Sequence, residues 1–208
     1  MSSKIHVLGN GDMATLMPEN VRQGKDGKVI ACNQPPLNIK AYATAIVDFK
    51  MCKALHEGSV NLDSFMWVCG NRPKMYCSKT PAFYMKHAHR IREFYTDVPK
   101  YCGKNPAEAA TNFNCGHMAT HYAARRHDAE EVHLYGFDSL FDHNMRSYTD
   151  LVLNSDRGSN NNHRLIENWR PIWNNIFAEF KNKKFVLWHK HRHCKIDLSD
   201  NVEIHVPA

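Results

Sequence analysis

Short apolar runs separated by polar punctuation set the rhythm of this chain. Residues 5–8, 29–32, 42–48, 65–69, 132–138 and 185–188 are brief runs rich in β-branched and aromatic side chains, the pattern of buried strands. Longer stretches carry apolar groups three and four apart. The clearest is 164–180, where Leu165, Ile166, Trp169, Ile172, Trp173, Ile176 and Phe177 predict one amphipathic helix with all seven in the core. A second helix is expected over 118–126, a basic one over 85–94, and a helical turn over 13–17. Strands alternating with helices predict an α/β fold: a single Rossmann-like, mostly parallel sheet flanked by helices, one domain over 1–208.

The polar punctuation falls at the carboxyl ends of the runs, where open parallel sheets bind ligands. Gly9, Asn10, Gly11 and Asp12 follow the first run, and Asn33 and Gln34 follow the second before two prolines stop it. Glycines in the first turn are expected to supply positive φ and close approach to a phosphate. Asn114, Cys115 and Gly116 precede the 118–126 helix, where backbone N–H groups face an anion. Asp138 ends the fifth run, at the functional edge of the sheet or as a cap for the segment that follows. The region from about 139 to 162 is polar and Asn-rich, which reads as a lid, and His163 stands at its junction with the last long helix.

Composition narrows the partners. The net charge of +6 with fourteen histidines suits a nucleotide, a nucleic acid or an acidic glycan, though a merely soluble basic surface explains it equally well, and basic residues mixed with aromatics crowd the stretch from Lys74 to Gly103. Seven cysteines without regular spacing read as reduced thiols. No apolar run approaches membrane-spanning length and no apolar signal core follows Met1, so a cytoplasmic chain without a transmembrane segment is expected. His189, His191 and His193 alternate as metal ligands on a strand would, yet an exposed basic edge strand explains them equally well, and no metal ligand is assigned.

The order of Gly9-Asn10-Gly11, Cys32-Asn33-Gln34, the Gly116 turn into a helix and Tyr135-Gly136-Phe137-Asp138 resembles the bacterial lipooligosaccharide sialyltransferases and their phage and bacterial relatives. The resemblance implies a glycosyltransferase that moves a sugar from a CMP-sugar-like donor to a hydroxyl; no Asp-x-Asp pair suited to a nucleotide-bound divalent ion occurs, so transfer without a metal or other cofactor is expected. It implies donor binding by Asn10, Gly11, Asn33, Gln34, Asn114, Cys115 and Gly116, and His163 as general base; Gly9 in the same turn, Asp138 at its strand end and Tyr148 on the lid are added as donor-binding candidates from their places in the chain. Arg146, Arg157 or Tyr148 would then meet the departing phosphate. The chain departs from that family at Asp12, where a small hydroxylated residue is usual, and at Phe141 and His143, where the family has tyrosines. Partners implied are a nucleotide sugar and a glycan or nucleic-acid acceptor, with a homo-oligomer left open. Two other readings keep the fold: a phage-type DNA-modifying transferase, and a pyrophosphokinase-like or non-catalytic nucleotide-binding relative.

Overall fold

The computed structural model describes residues 3–142, 147–155 and 162–208. Much of the expected lid, with His143, Arg146 and Arg157, lies outside the described residues. Eight strands form one sheet: β1 (Lys4–Leu8), β2 (Lys28–Cys32), β3 (Ala43–Ile46), β4 (Trp67–Cys69), β5 (Ile91–Phe94), β6 (Glu131–Tyr135), β7 (Lys184–Trp188) and β8 (Val202–His205). Their order is β5-β4-β3-β2-β1-β6-β7-β8, and every pairing is parallel. The fold is therefore the Rossmann-like α/β arrangement that the alternation of runs predicts.

Helices cover both faces, as a parallel sheet requires. On one face α5 (Pro106–Asn112), α6 (Cys115–Arg126) and α8 (Arg170–Glu179) pack their apolar sides on Ile5, Val7, Ile30, Val132, Leu134 and Phe185. The opposite face is covered in two parts. A 3-10 turn (Asp12–Leu16) and α1 (Glu19–Arg22) bury Leu8, Val29 and Ala31, while α2 (Phe49–Glu57), α3 (Asn71–Lys79) and α4 (Pro81–His87) bury Ile46, Trp67 and Cys69. A further short helix, α7 (Tyr148–Val152), sits over the carboxyl edge of the sheet. No helix among the described residues is long and apolar enough to cross a membrane.

Four expectations are corrected. The predicted helix over 85–94 ends early: α4 stops at His87, and Ile91–Phe94 is the edge strand β5. The stretch from Gly70 to Pro73, which follows the fourth run and reads in sequence as a polar turn, is the start of α3, with Pro73 buried within its first turns. Leu165–Trp169 forms a π-helical turn ahead of α8, and the wider turn takes Ile166 off the packed face, leaving it 59% exposed. The histidine tract is not an edge strand, because β7 ends at Trp188 and β8 forms the edge. His189 is buried there, with its ring stacked on Phe141 at 3.8 Å.

Candidate functional site

The sheet grows outward from β1 through β5, and the chain then crosses back to lay β6 against the other side of β1. Loops leaving β1 and β6 consequently diverge to opposite faces, and a crevice opens at the carboxyl ends between them. Here it is a cleft of about 200 Å3, lined by Gly9 to Gly11, Asn33, Asp48, Asn114 to Gly116, Gly136 to Ser139, Thr149, Trp169 and Trp173 among others. A second recess of about 500 Å3 adjoins it, sharing Asn10 and Gly11 and adding Tyr148.

The turns after β1 and β6 are locked together. Gly9 N donates to Tyr135 O at 2.7 Å and Gly11 N to Gly136 O at 2.9 Å. That closeness explains the glycines: a Cβ on Gly9 would lie 2.5 Å from Gly136 O, and one on Gly11 2.5 Å from Asp138 Cγ. Positive φ is not their role, since Gly11 has φ −77°. The left-handed backbone belongs instead to Asn33, at φ 53°, a conformation Asn tolerates better than most side chains. Strand β3 holds it there, with Asn33 N donating to Ala45 O at 2.9 Å and Thr44 Oγ1 donating to Asn33 O at 2.5 Å.

Asn10 and Asn33 thus meet in the cleft. The Asn10 amide nitrogen donates to Cys32 O at 2.7 Å, and because that carbonyl only accepts, the orientation of the amide is fixed with Oδ1 left over. Among the described residues Asn10 Oδ1 and Asn33 Oδ1 are both buried without a hydrogen-bond partner, and so is the indole N–H of Trp169. Two acceptors and one donor thus lie unpaired in residues that wall the crevice, and a buried polar atom left unpaired costs about 1–3 kcal/mol.

The third wall is the start of α6. Asn114 caps it reciprocally with His117: His117 N donates to Asn114 Oδ1 at 3.0 Å, and Asn114 N donates to His117 Nδ1 at 3.2 Å. With Nδ1 accepting, Nε2 carries the proton and donates to Trp169 O at 3.0 Å, so one imidazole fastens the helix start to the π turn. Burial holds the His117 pKa down to about 3, so the ring is neutral. The cap leaves the amides of Cys115 and Gly116 as first-turn donors without an intrahelical acceptor, in residues that line the cleft. Gly116 is required by packing, as a Cβ would lie 2.8 Å from the Phe137 ring.

Asp138 does not cap the segment after it. Its carboxylate accepts from Met13 N at 3.2 and 3.3 Å, bracing the turn that follows β1, and burial raises its pKa above the ordinary carboxylate value. Of the residues expected from the sequence, Gly9, Asn10, Gly11, Asn33, Asn114, Cys115, Gly116 and Asp138 line the cleft together, and Tyr148 lines the adjoining recess. Gln34 is half-buried and lines neither. His163 is exposed on the turn Asn162–Arg164 and also lines neither.

Asp48, Thr149, Asp150 and Trp169 are cleft residues that the pattern of the chain does not mark as such. Asp48 ends the third apolar run just as Asp138 ends the fifth, which is the one signal pointing to it. In the histidine tract, His191 N donates to His189 Nδ1 at 3.3 Å and His193 N to His191 Nδ1 at 3.2 Å, so these rings face their own backbone. Among the described residues no group of three His, Cys, Asp or Glu could hold a metal ion. Comparison with models of known families, with characterised proteins and with solved structures finds no match to this chain.

Proposed function

We propose that the cleft holds a nucleotide-activated sugar and that the chain transfers the sugar to a hydroxyl acceptor. The observation that carries this reading is the meeting of Asn10 and Asn33, whose side-chain oxygens are unpaired among the described residues, with the start of α6 in one crevice. Hydroxyls of a ribose or an exocyclic amine on a base satisfy the two acceptors, and a phosphate satisfies the amides of Cys115 and Gly116. A CMP-sugar is the donor proposed, on the resemblance of the two Asn-containing turns to the sialyltransferase family.

In the proposed reaction the acceptor oxygen attacks the anomeric carbon, the bond from that carbon to the phosphate oxygen breaks, and the α6 amides receive the charge that develops on the leaving phosphate. The attacking hydroxyl passes its proton to a base. Asp138 is the favoured base, because it lies in the cleft and its burial makes the carboxylate a better proton acceptor than a solvated one. His163, the base that the family resemblance implies, lies exposed outside the lining and takes second place.

Titration calorimetry with CMP, UMP, AMP and the corresponding nucleotide sugars tests the reading. One pyrimidine nucleotide should bind, and Asn33→Gly, which keeps the backbone angle and removes the amide, should weaken it at least tenfold. Absence of heat with every nucleotide would end the proposal. Release of free nucleotide from a nucleotide sugar, followed by mass, separates a transferase from a protein that only binds.

A further inference from the structure

We infer that the face built by α2, α3 and α4 is a docking surface for single-stranded nucleic acid, independently of what the cleft holds. Charge is the first observation. Residues 49–87, which span α2, α3 and α4, contain six Lys or Arg against two acids, Glu57 and Asp63, an excess of four in a chain of net charge +6. Most of the protein's surplus positive charge is therefore carried by the segment that builds these three helices. Lys50, Lys74, Lys79 and Lys86 are exposed and form no ion pair among the described residues, while Lys53 has only a surface contact with Glu57 at 3.6 Å.

Exposed apolar surface is the second observation, and it falls in the same place. Of the seven large hydrophobic side chains that stand exposed among the described residues, Phe49, Met75, Tyr84 and Met85 belong to α2, α3 and α4. Isolated exposed hydrophobics need no explanation, whereas four on three adjoining lysine-bearing helices do. The third observation is shape. A groove runs between α2 and α3, lined by Phe49, Lys50, Lys53, Tyr76, Lys79 and Thr80, so that two aromatic rings and three ammonium groups border one recess. Tyr76 is held in place by a hydrogen bond of 2.9 Å between its hydroxyl and His56 Nδ1.

A recess bordered by aromatic rings and ammonium groups matches a polymer that alternates flat bases with phosphates: bases stack on the rings and phosphates meet the lysines. The concave shape decides against an anionic membrane, whose flat surface cannot enter a recess between two helices. Duplex fits poorly as well, because its bases are stacked inward. The groove also opens beside the cleft, since Asp48 lines the cleft and its chain neighbour Phe49 lines the groove.

Fluorescence anisotropy with a labelled oligothymidylate of about 20 nucleotides tests this on the full chain. Binding should be measurable at about 50 mM salt and fall steeply as salt rises. The double variant Lys50→Glu with Lys79→Glu should weaken binding at least tenfold and flatten the log–log salt slope by about 1.4, the loss of two single-strand phosphate contacts. Phe49→Ala should weaken binding about tenfold with the slope unchanged. Unchanged circular dichroism melts show that these exposed substitutions leave the fold intact. Absence of binding at low salt, insensitivity to the double charge reversal, equal or tighter binding of duplex, or preference for phosphatidylserine vesicles would each overturn the inference.

Discussion

Asn10 and Asn33 donate from their side-chain amides to one hydroxyl, that of Thr149, at 2.8 and 3.3 Å. Helix α7 is fastened over the cleft by that contact and by Tyr148 N donating to Asn10 O at 2.9 Å. Thr149→Val keeps the shape of the side chain and removes the shared acceptor. We expect it to cost about 1 kcal/mol, because Asn10 keeps Cys32 O while Asn33 loses the acceptor of its amide. Urea denaturation should show a lower midpoint with an unchanged slope, and an unchanged midpoint would mean that the contact contributes nothing.

Asn33 combines two properties that substitution can separate. Asn33→Ala places a Cβ-bearing residue without the Asn side chain at φ 53° and should cost about 1 kcal/mol of stability, whereas Asn33→Gly should cost less. Both should lose nucleotide affinity to a similar degree. If only the alanine variant loses affinity, the backbone and not the amide is what the ligand requires.

Gly9 and Gly58 test crowding against backbone strain. Gly58 has φ 76° with nothing within 4 Å of a would-be Cβ, so Gly58→Ala should cost about 1 kcal/mol. Gly9→Ala drives a methyl onto Gly136 O, a backbone atom that cannot swing away, and should cost at least 2–3 kcal/mol, roughly the upper range for overpacking. Equal melting temperatures for the two variants would contradict the close packing of the two turns.

Acid should destabilise the fold before its carboxylates titrate. Burial lowers the pKa of His117 to about 3 and that of His6 to about 4, the latter with help from nearby His133. Both folded values lie below the unfolded value near 6.5, so the unfolded chain takes up protons that the folded chain refuses. Stability is therefore full above about pH 6.5 and falls on the way down, by about 2 kcal/mol for each ring between pH 7 and pH 5. His117→Gln keeps an acceptor for Asn114 N in the cap and cannot titrate. It should flatten the slope of stability against pH by about one proton, and an unaltered slope would show that His117 is already charged in the folded chain.

Trp169 offers a direct probe of occupancy. Its indole N–H is buried and has no partner among the described residues, and the ring is in the cleft lining. Nucleotide binding should change the intrinsic fluorescence, and Trp169→Phe should remove most of that change while weakening affinity about fivefold, one neutral hydrogen bond. A signal that survives intact would place the ligand away from this ring.

Much of the fold is legible in the chain because its inner strands are buried on both faces. Val29 to Cys32 and Phe185 to Leu187 are continuous apolar runs, and such runs at this length admit few readings. The edge strands hide for the opposite reason. In β8 burial alternates, with Val202 and Ile204 inward and Glu203 and His205 outward, and four such residues are too few to establish a period. In β5 the apolar pair Ile91 and Phe94 stands three apart, which imitates a helix. At the site, Asn10, Asn33 and Asp138 stand out because strand ends mark them. Thr149 and Trp169 do not, because only tertiary folding carries α7 and the π turn to the strand ends, and a tryptophan at helical spacing reads as core.

The strand order carries a consequence for biosynthesis. Each of the strands from β2 to β5 docks beside its immediate predecessor, so a nascent chain leaving the ribosome can assemble that flank piece by piece with short-range closures. The crevice is different: it stays unfinished until β6 inserts against β1 and the segment through Trp173 has emerged. A ribosome stalled before that point would display an ordered half-sheet with an unpaired β1 edge and no ligand competence, which makes this stage of synthesis the one most exposed to mispairing.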